Sequence, residues 1–146
     1  MIELIGCVLL LIPCVIMDLK KREIPVIYVI VFGVAAIAIN LIWKMKSPLE
    51  IIFGGALGAF FVLISLIGRN SIGMGDSLTM VSVGVWCGVF DAIVGVFLGF
   101  LAAGIFGVVY MLVQQKGWKS KLPFAPFLSV GVIFTAATSW ITGAVV

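Results

Sequence analysis

The sequence predicts an all-α, polytopic membrane protein with six transmembrane helices. Three observations carry that expectation. Of the 146 residues, 64% are apolar and only 10% are charged, where a soluble domain has about 45–50% and about 25%. The mean hydropathy is +1.37. The few charges stand singly or in small clusters and divide the chain into apolar runs. A soluble domain of this size buries only about two-thirds of the surface that its unfolded chain exposes. That is too little to hide so apolar a sequence.

The runs follow in order. Residues 4–17 lie between Glu3 and Asp18, and residues 24–43 end at Lys44 and Lys46. Residues 51–68 end at Arg69, and residues 77–90 lie between Asp76 and Asp91. Residues 92–113 and 124–146 complete the set. A hydrocarbon layer of about 30 Å asks for about 20 apolar residues per helix. The first and fourth runs are shorter, so their flanking carboxylates belong near or inside the apolar boundary. The first run does not read as a cleaved signal peptide, because its basic cluster Lys20, Lys21 and Arg22 follows it rather than precedes it.

That cluster also sets orientation, since basic residues gather on the cytoplasmic side. With the N-terminus outside and six alternating helices, Lys20, Lys21, Arg22, Arg69, Lys116, Lys119 and Lys121 face inward. Only Lys44 and Lys46 then face outward. Both chain ends are expected outside, and residues 1–146 are expected to form a single transmembrane domain. Small residues recur every four positions at Gly54 and Gly58, at Gly84 and Gly88, and along Gly95, Gly99, Ala103 and Gly107. Such ridges let helix backbones approach closely in lipid.

The inventory narrows the chemistry. Histidine is absent, which removes Ser-His-Asp triads, Cys-His dyads and HExxH zinc sites. Cys7, Cys14 and Cys87 form no CxxC pair, so a zinc ribbon is excluded. No metal and no cofactor is expected. Nine basic and six acidic residues give no dense basic face for nucleic acid. The cysteines read as small apolar fillers.

Asp18 ends the first predicted helix and Asp76 begins the fourth, so the topology sets both acids at the inner boundary. An ionisable group at that depth is costly, and function is its default explanation. Asp76 stands in Gly73-Met74-Gly75-Asp76, a backbone nearly bare of side chains at the mouth of an apolar helix. Capping a helix N-terminus explains an acid there, but it does not call for two glycines. Two neighbouring carboxyls cannot both ionise cheaply, so they share a proton. One then takes a proton from water while the other polarises a carbonyl, as aspartic proteases do. The rival reading is a small transporter or ion-binding membrane protein that uses the same interfacial acids.

Three segments make the chain resemble the type IV prepilin peptidases, membrane aspartic proteases of the GxGD type. One is Asp18-Leu19-Lys20-Lys21-Arg22-Glu23-Ile24-Pro25, similar to the family's aspartate, basic loop and Ile-Pro. Another is Gly73-Met74-Gly75-Asp76, which matches GxGD. The third, Leu122-Pro123-Phe124-Ala125-Pro126-Phe127-Leu128, is similar to a Pro-Phe-Gly-Pro-Phe-Leu segment. The resemblance implies an endopeptidase that removes the leader of prepilin-like or pseudopilin proteins, with Asp18 and Asp76 catalytic. It implies a site facing the cytoplasm in the inner membrane of a prokaryotic cell. Larger members add a CxxC zinc region and a methyltransferase activity; nothing here corresponds to them, so peptidase activity alone is expected. Leu78 stands where the family commonly has Lys, Val26 where it has Asn, and Ala125 where it has Gly.

The remaining readings are structural. Gly73 and Gly75 leave room for an extended substrate strand. Pro25 starts the second helix, and Pro123 and Pro126 open the sixth, with a further part in shaping the site wall. Lys20, Lys21 and Arg22 anchor the loop, Glu23 offsets some of their charge, and Asp91 is a turn residue before the fifth helix. Glu3 and Glu50 are outer-interface residues, and Trp43, Trp118 and Trp140 belong to interfacial belts.

Overall fold

The computed structural model describes residues 2–68, 73–114 and 123–145. Arg69, Ser71, Lys116, Trp118, Lys119, Ser120, Lys121 and Leu122 lie outside the described residues. Six helices follow one another: α1 (Ile2–Lys21), α2 (Val26–Trp43), α3 (Pro48–Ile67), α4 (Met74–Cys87), α5 (Val89–Gln114) and α6 (Ala125–Val145). All but α4 are long and apolar enough to cross a membrane. With 14 residues, α4 is only about 21 Å long at 1.5 Å per residue.

The shortest helix sits at the centre. It packs against α1, α2, α3 and α5, and Met80, Val83, Val85, Trp86 and Cys87 on it are buried. A helix enclosed by protein can carry hydroxyls, provided each finds an acceptor. Ser77 donates to Phe61 O of α3 at 3.3 Å and Ser82 donates to Val29 O of α2 at 3.0 Å. Buried Asn40 of α2 donates to Val85 O at 3.2 Å. These bonds tie α4 to its neighbours where apolar side chains alone would let it slide.

Close approach depends on missing side chains. Gly54 of α3 and Gly84 of α4 face each other so closely that a Cβ on either would strike the other's backbone. Gly58 meets the α4 backbone at Met80 and Val81 in the same way. Gly95 and Gly99 of α5 seat Val132 and Leu128 of α6. The four-residue ridges therefore do pack helices, with one correction. Gly88 belongs to no ridge; it is the turn between α4 and α5, at φ +83°. Overpacking a tight contact costs about 1–3 kcal/mol or more. Gly84→Val is therefore expected to lose the monodisperse peak in size-exclusion chromatography and to melt earlier. Gly104→Ala, where no atom lies within 4 Å, leaves both unchanged.

The Gly88 turn moves a predicted boundary. The fourth run was expected to reach Phe90, with Asp91 in a turn after it. Instead α4 stops at Cys87, and Asp91 lies in the first turn of α5, where it accepts from Ser139 Oγ of α6 at 2.6 Å. An acid in a first turn is favoured by the helix dipole. Glu50 likewise serves α3 itself: it is the N3 partner of Ser47 in a capping box. Within α1, Pro13 leaves Leu9 O without its usual helical donor, and Tyr28 of α2 donates to that oxygen at 2.6 Å. Glu3 pairs with Lys46 at 3.3 Å at the bundle end opposite Asp18.

Candidate active site

Asp18 lies in the last turn of α1 and is 7% exposed. Arg22 ends that helix in a left-handed conformation, φ 55°, and its N–H returns to Asp18 O at 2.9 Å. The chain then reverses through Glu23 and Ile24, and Pro25 precedes α2 in an extended conformation. Ile24 opens the second apolar run, and Pro25 was expected to start the helix. Ile24 lies before that helix and bears on the first turn of α4, where a Cβ on Gly75 would come 2.6 Å from its own Cβ. The second glycine of the motif thus admits the connection that follows Asp18.

The first glycine admits the other acid. Gly73 is the residue before α4, and a Cβ there would lie 2.8 Å from Asp76 Oδ2. Asp76 occupies the third position of the helix, yet Gly73 offers no side-chain cap. Asp76 Oδ1 is buried and has no hydrogen-bond partner among the described residues. A pure capping role does not explain a buried carboxylate oxygen left free. Asp76 precedes the apolar run of α4 and stands outside the five helices long enough to span. Burial pushes its carboxyl up from the usual carboxylate range to about 6, and the charge of Asp18 adds to the push.

Both acids open into one recess of about 340 Å³, whose walls include Arg22, Glu23, Ile24, Gly73, Met74 and Gly75. Two sequence elements 58 positions apart thereby meet. Pro123 and Pro126 do not line this recess among the described residues. Their segment acts through Ala125, the first residue of α6, whose N–H donates to Asp18 Oδ2 at 2.9 Å. The donor leaves Asp18 held in one orientation, with the positive end of a helix dipole against it.

Sequence reasoning missed three members of this arrangement. The Ala125 N–H is a backbone group 107 positions from its acceptor, and the only signal was the Pro-Phe-Ala-Pro segment itself. Arg22 and Glu23 were assigned to topology and charge balance, yet they stand in the recess wall. No group of three or more His, Cys, Asp or Glu that could hold a metal occurs among the described residues. The recess thus holds two carboxyls carried by separate helices.

Comparison with known proteins bears on these residues. The sequence profile of the type IV leader peptidase family matches residues 4–108, a stretch that contains both acids. The chain is 29% identical over 134 residues to a "Type 4 prepilin-like proteins leader peptide-processing enzyme" of Escherichia coli O78:H11 (strain H10407 / ETEC). That match takes in 86% of this chain and 47% of the relative, so the chain spans about half the length of the curated relative it matches. No solved structure matches the chain.

Proposed function

The chain belongs to the type IV leader peptidase family, and from that membership we propose that it is an aspartic endopeptidase that cuts leader peptides from prepilin-like proteins, with Asp18 and Asp76 as its catalytic pair. The observation that carries the mechanism is the shared recess: two acids on separate helices, one with a buried oxygen that the fold does not use.

A water held between the carboxyls supplies the nucleophile. The ionised carboxyl takes its proton as the water oxygen attacks the scissile carbonyl carbon. The protonated carboxyl hydrogen-bonds to the carbonyl oxygen and stabilises the charge that develops there. Collapse of the tetrahedral intermediate passes a proton to the leaving nitrogen. The proton belongs to the pair and titrates with the pair. The substrate must be extended where it is cut, and Gly73 and Gly75 bring backbone to the recess wall beside Asp76. A substrate whose apolar helix begins just past the cut sits with that helix in the lipid and its leader in water.

Orientation follows from charge. Arg22 lines the recess, Lys20 and Lys21 stand just before it in the chain, and basic residues at membrane boundaries mark the cytoplasmic side. We therefore assign the site to the cytoplasmic face, both chain ends to the other face, and six crossings to the chain. Reagent applied from one side to Lys46→Cys and Lys119→Cys variants tests this: labelling of one only is expected, and labelling of both from the same side overturns it.

The activity itself is tested with purified protein in detergent and a prepilin-like substrate. The expected result is a shorter product whose new N-terminus lies just before the apolar helix. Uncut substrate overturns the peptidase reading. Cation flux in vesicles, lost on changing either acid and accompanied by no cutting, establishes the transport reading instead.

A further inference from the structure

The helices that bear the two acids also bear two thiols, at the same spacing. Cys7 precedes Asp18 on α1 by eleven residues, and Cys87 follows Asp76 on α4 by eleven. Eleven residues make about three helical turns, so each thiol shares a helix face with its acid. The helices α1 and α4 pack against each other and run in opposite directions. With the acids at one end of this contact, the same register brings the thiols together at the other. Cys7 Sγ and Cys87 Sγ lie 2.9 Å apart.

The setting suits a pair rather than two fillers. Cys7 is fully buried and Cys87 is 2% exposed. Cys87 nevertheless forms part of a second recess of about 230 Å³, at the end of the bundle away from the acids, beside Lys46, Asp91 and Ser139. Of the two, Cys87 is therefore the one that borders this recess, and Cys7 is not among its walls. Cys14, the third thiol, sits on the same face of α1 but is buried between the pair and the acids.

We propose that Cys7 and Cys87 are a disulfide-forming pair that ties α1 to α4 at the end opposite the acids. The oxidant is a disulfide, of a small molecule or of a thiol–disulfide exchange protein, that enters the second recess. The Cys87 thiolate attacks one oxidant sulfur, forming a mixed disulfide and releasing one thiolate. The Cys7 thiolate then attacks Cys87 Sγ, forming the Cys7–Cys87 bond and releasing the second thiolate. Two protons leave the cysteines, and two electrons reduce the oxidant's disulfide to two thiols. The product is a covalent strut about three turns from each acid, on the interface that sets their separation.

A thiol count tests the proposal. The purified chain, untreated or treated briefly with a disulfide oxidant, is denatured and labelled with a maleimide polymer that shifts its mobility on a gel. One thiol, Cys14, is expected to label after oxidant, and all three after reductant. In Cys14→Ser the counts become none and two. In Cys7→Ser the mixed disulfide on Cys87 has no thiol to resolve it, so one thiol labels after oxidant and two after reductant; in Cys87→Ser two label in either case. Three free thiols after oxidant overturn the proposal. So does a reductant-sensitive dimer, or protection that disappears in Cys14→Ser, since either puts the bond elsewhere. If Cys7→Ser fails to fold, the parent and Cys14→Ser counts decide alone. The readout counts thiols and involves no substrate, so it stands or falls apart from the peptidase reading.

Discussion

Changing Asp76 to asparagine lowers leader removal by about 10³-fold or more, the scale of a lost general acid or base, and Asp18→Asn does the same. Both substitutions keep the shape of the side chain. The double variant is no slower than either single one, because groups that act as a unit lose their function once. Initial rates of product formation measure all three. Stability separates a lost proton from a lost fold. The Asp76 carboxyl has its pKa raised to about 6 in the folded protein, above its unfolded value. Its contribution to stability is therefore present below the unfolded pKa and is lost as pH rises through about 6. The Asp76→Asn variant has no such loss. Its melting temperature, read by circular dichroism in detergent, is expected to exceed the parent's by more at pH 8 than at pH 5. An inactive variant that melts far below the parent at both pH values makes Asp76 structural. Full cutting by both single variants ends the proposed mechanism.

Much of this molecule is legible in its sequence because lipid imposes simple rules. Charges cannot be placed mid-membrane without cause, so they mark helix limits, and α2, α3 and α6 begin and end close to the predicted bounds. The limits fail where backbone geometry overrules hydropathy. Residues 77–90 read as one apolar run, yet the positive φ of Gly88 ends α4 and hands Val89 and Phe90 to α5. Glu50 read as a boundary charge, yet with Ser47 it caps the helix it was thought to precede. The acid pair was legible because both members fall at one predicted boundary and one stands behind two glycines.

Contacts that follow no local pattern were not legible. Tyr28 at Leu9 O, Ala125 N–H at Asp18 and Cys7 at Cys87 each join distant positions through one atom pair. Neither periodicity nor spacing within one helix predicts such a meeting. Pro13 does announce an unbonded carbonyl, but not which helix repairs it. The symmetry of the eleven-residue spacings can be seen in the sequence only once α1 and α4 are known to be neighbours.

The second large effect is expected at a residue with no reactive side chain. Ala125→Pro removes one hydrogen-bond donor and little else. Proline is favoured at the first position of a helix, where its fixed φ is already correct. The residue before it must be extended, and Phe124 already precedes the helix rather than belonging to it. So α6 still starts where it does, and its packing against α1 and α5 survives. The N–H that holds Asp18 Oδ2 at 2.9 Å is replaced by a ring carbon, which drives that oxygen away. A hydrogen bond to a charged group is worth about 1.5–3 kcal/mol, or about 10–150-fold in rate at 1.4 kcal/mol per decade. Displacement of the carboxyl adds to that loss, so the expected fall is about 10²-fold, carried by kcat rather than KM. Ala125→Gly keeps the N–H and restores the glycine common in the family, and its rate stays within a few-fold of the parent. If Ala125→Pro folds and cuts at the parental rate, the α6 N-terminus does not position Asp18. If Ala125→Gly loses as much as Ala125→Pro, the methyl group matters and the donor does not. The predicted order, parent close to the glycine variant and both well above the proline variant, fits only a backbone N–H acting through Asp18.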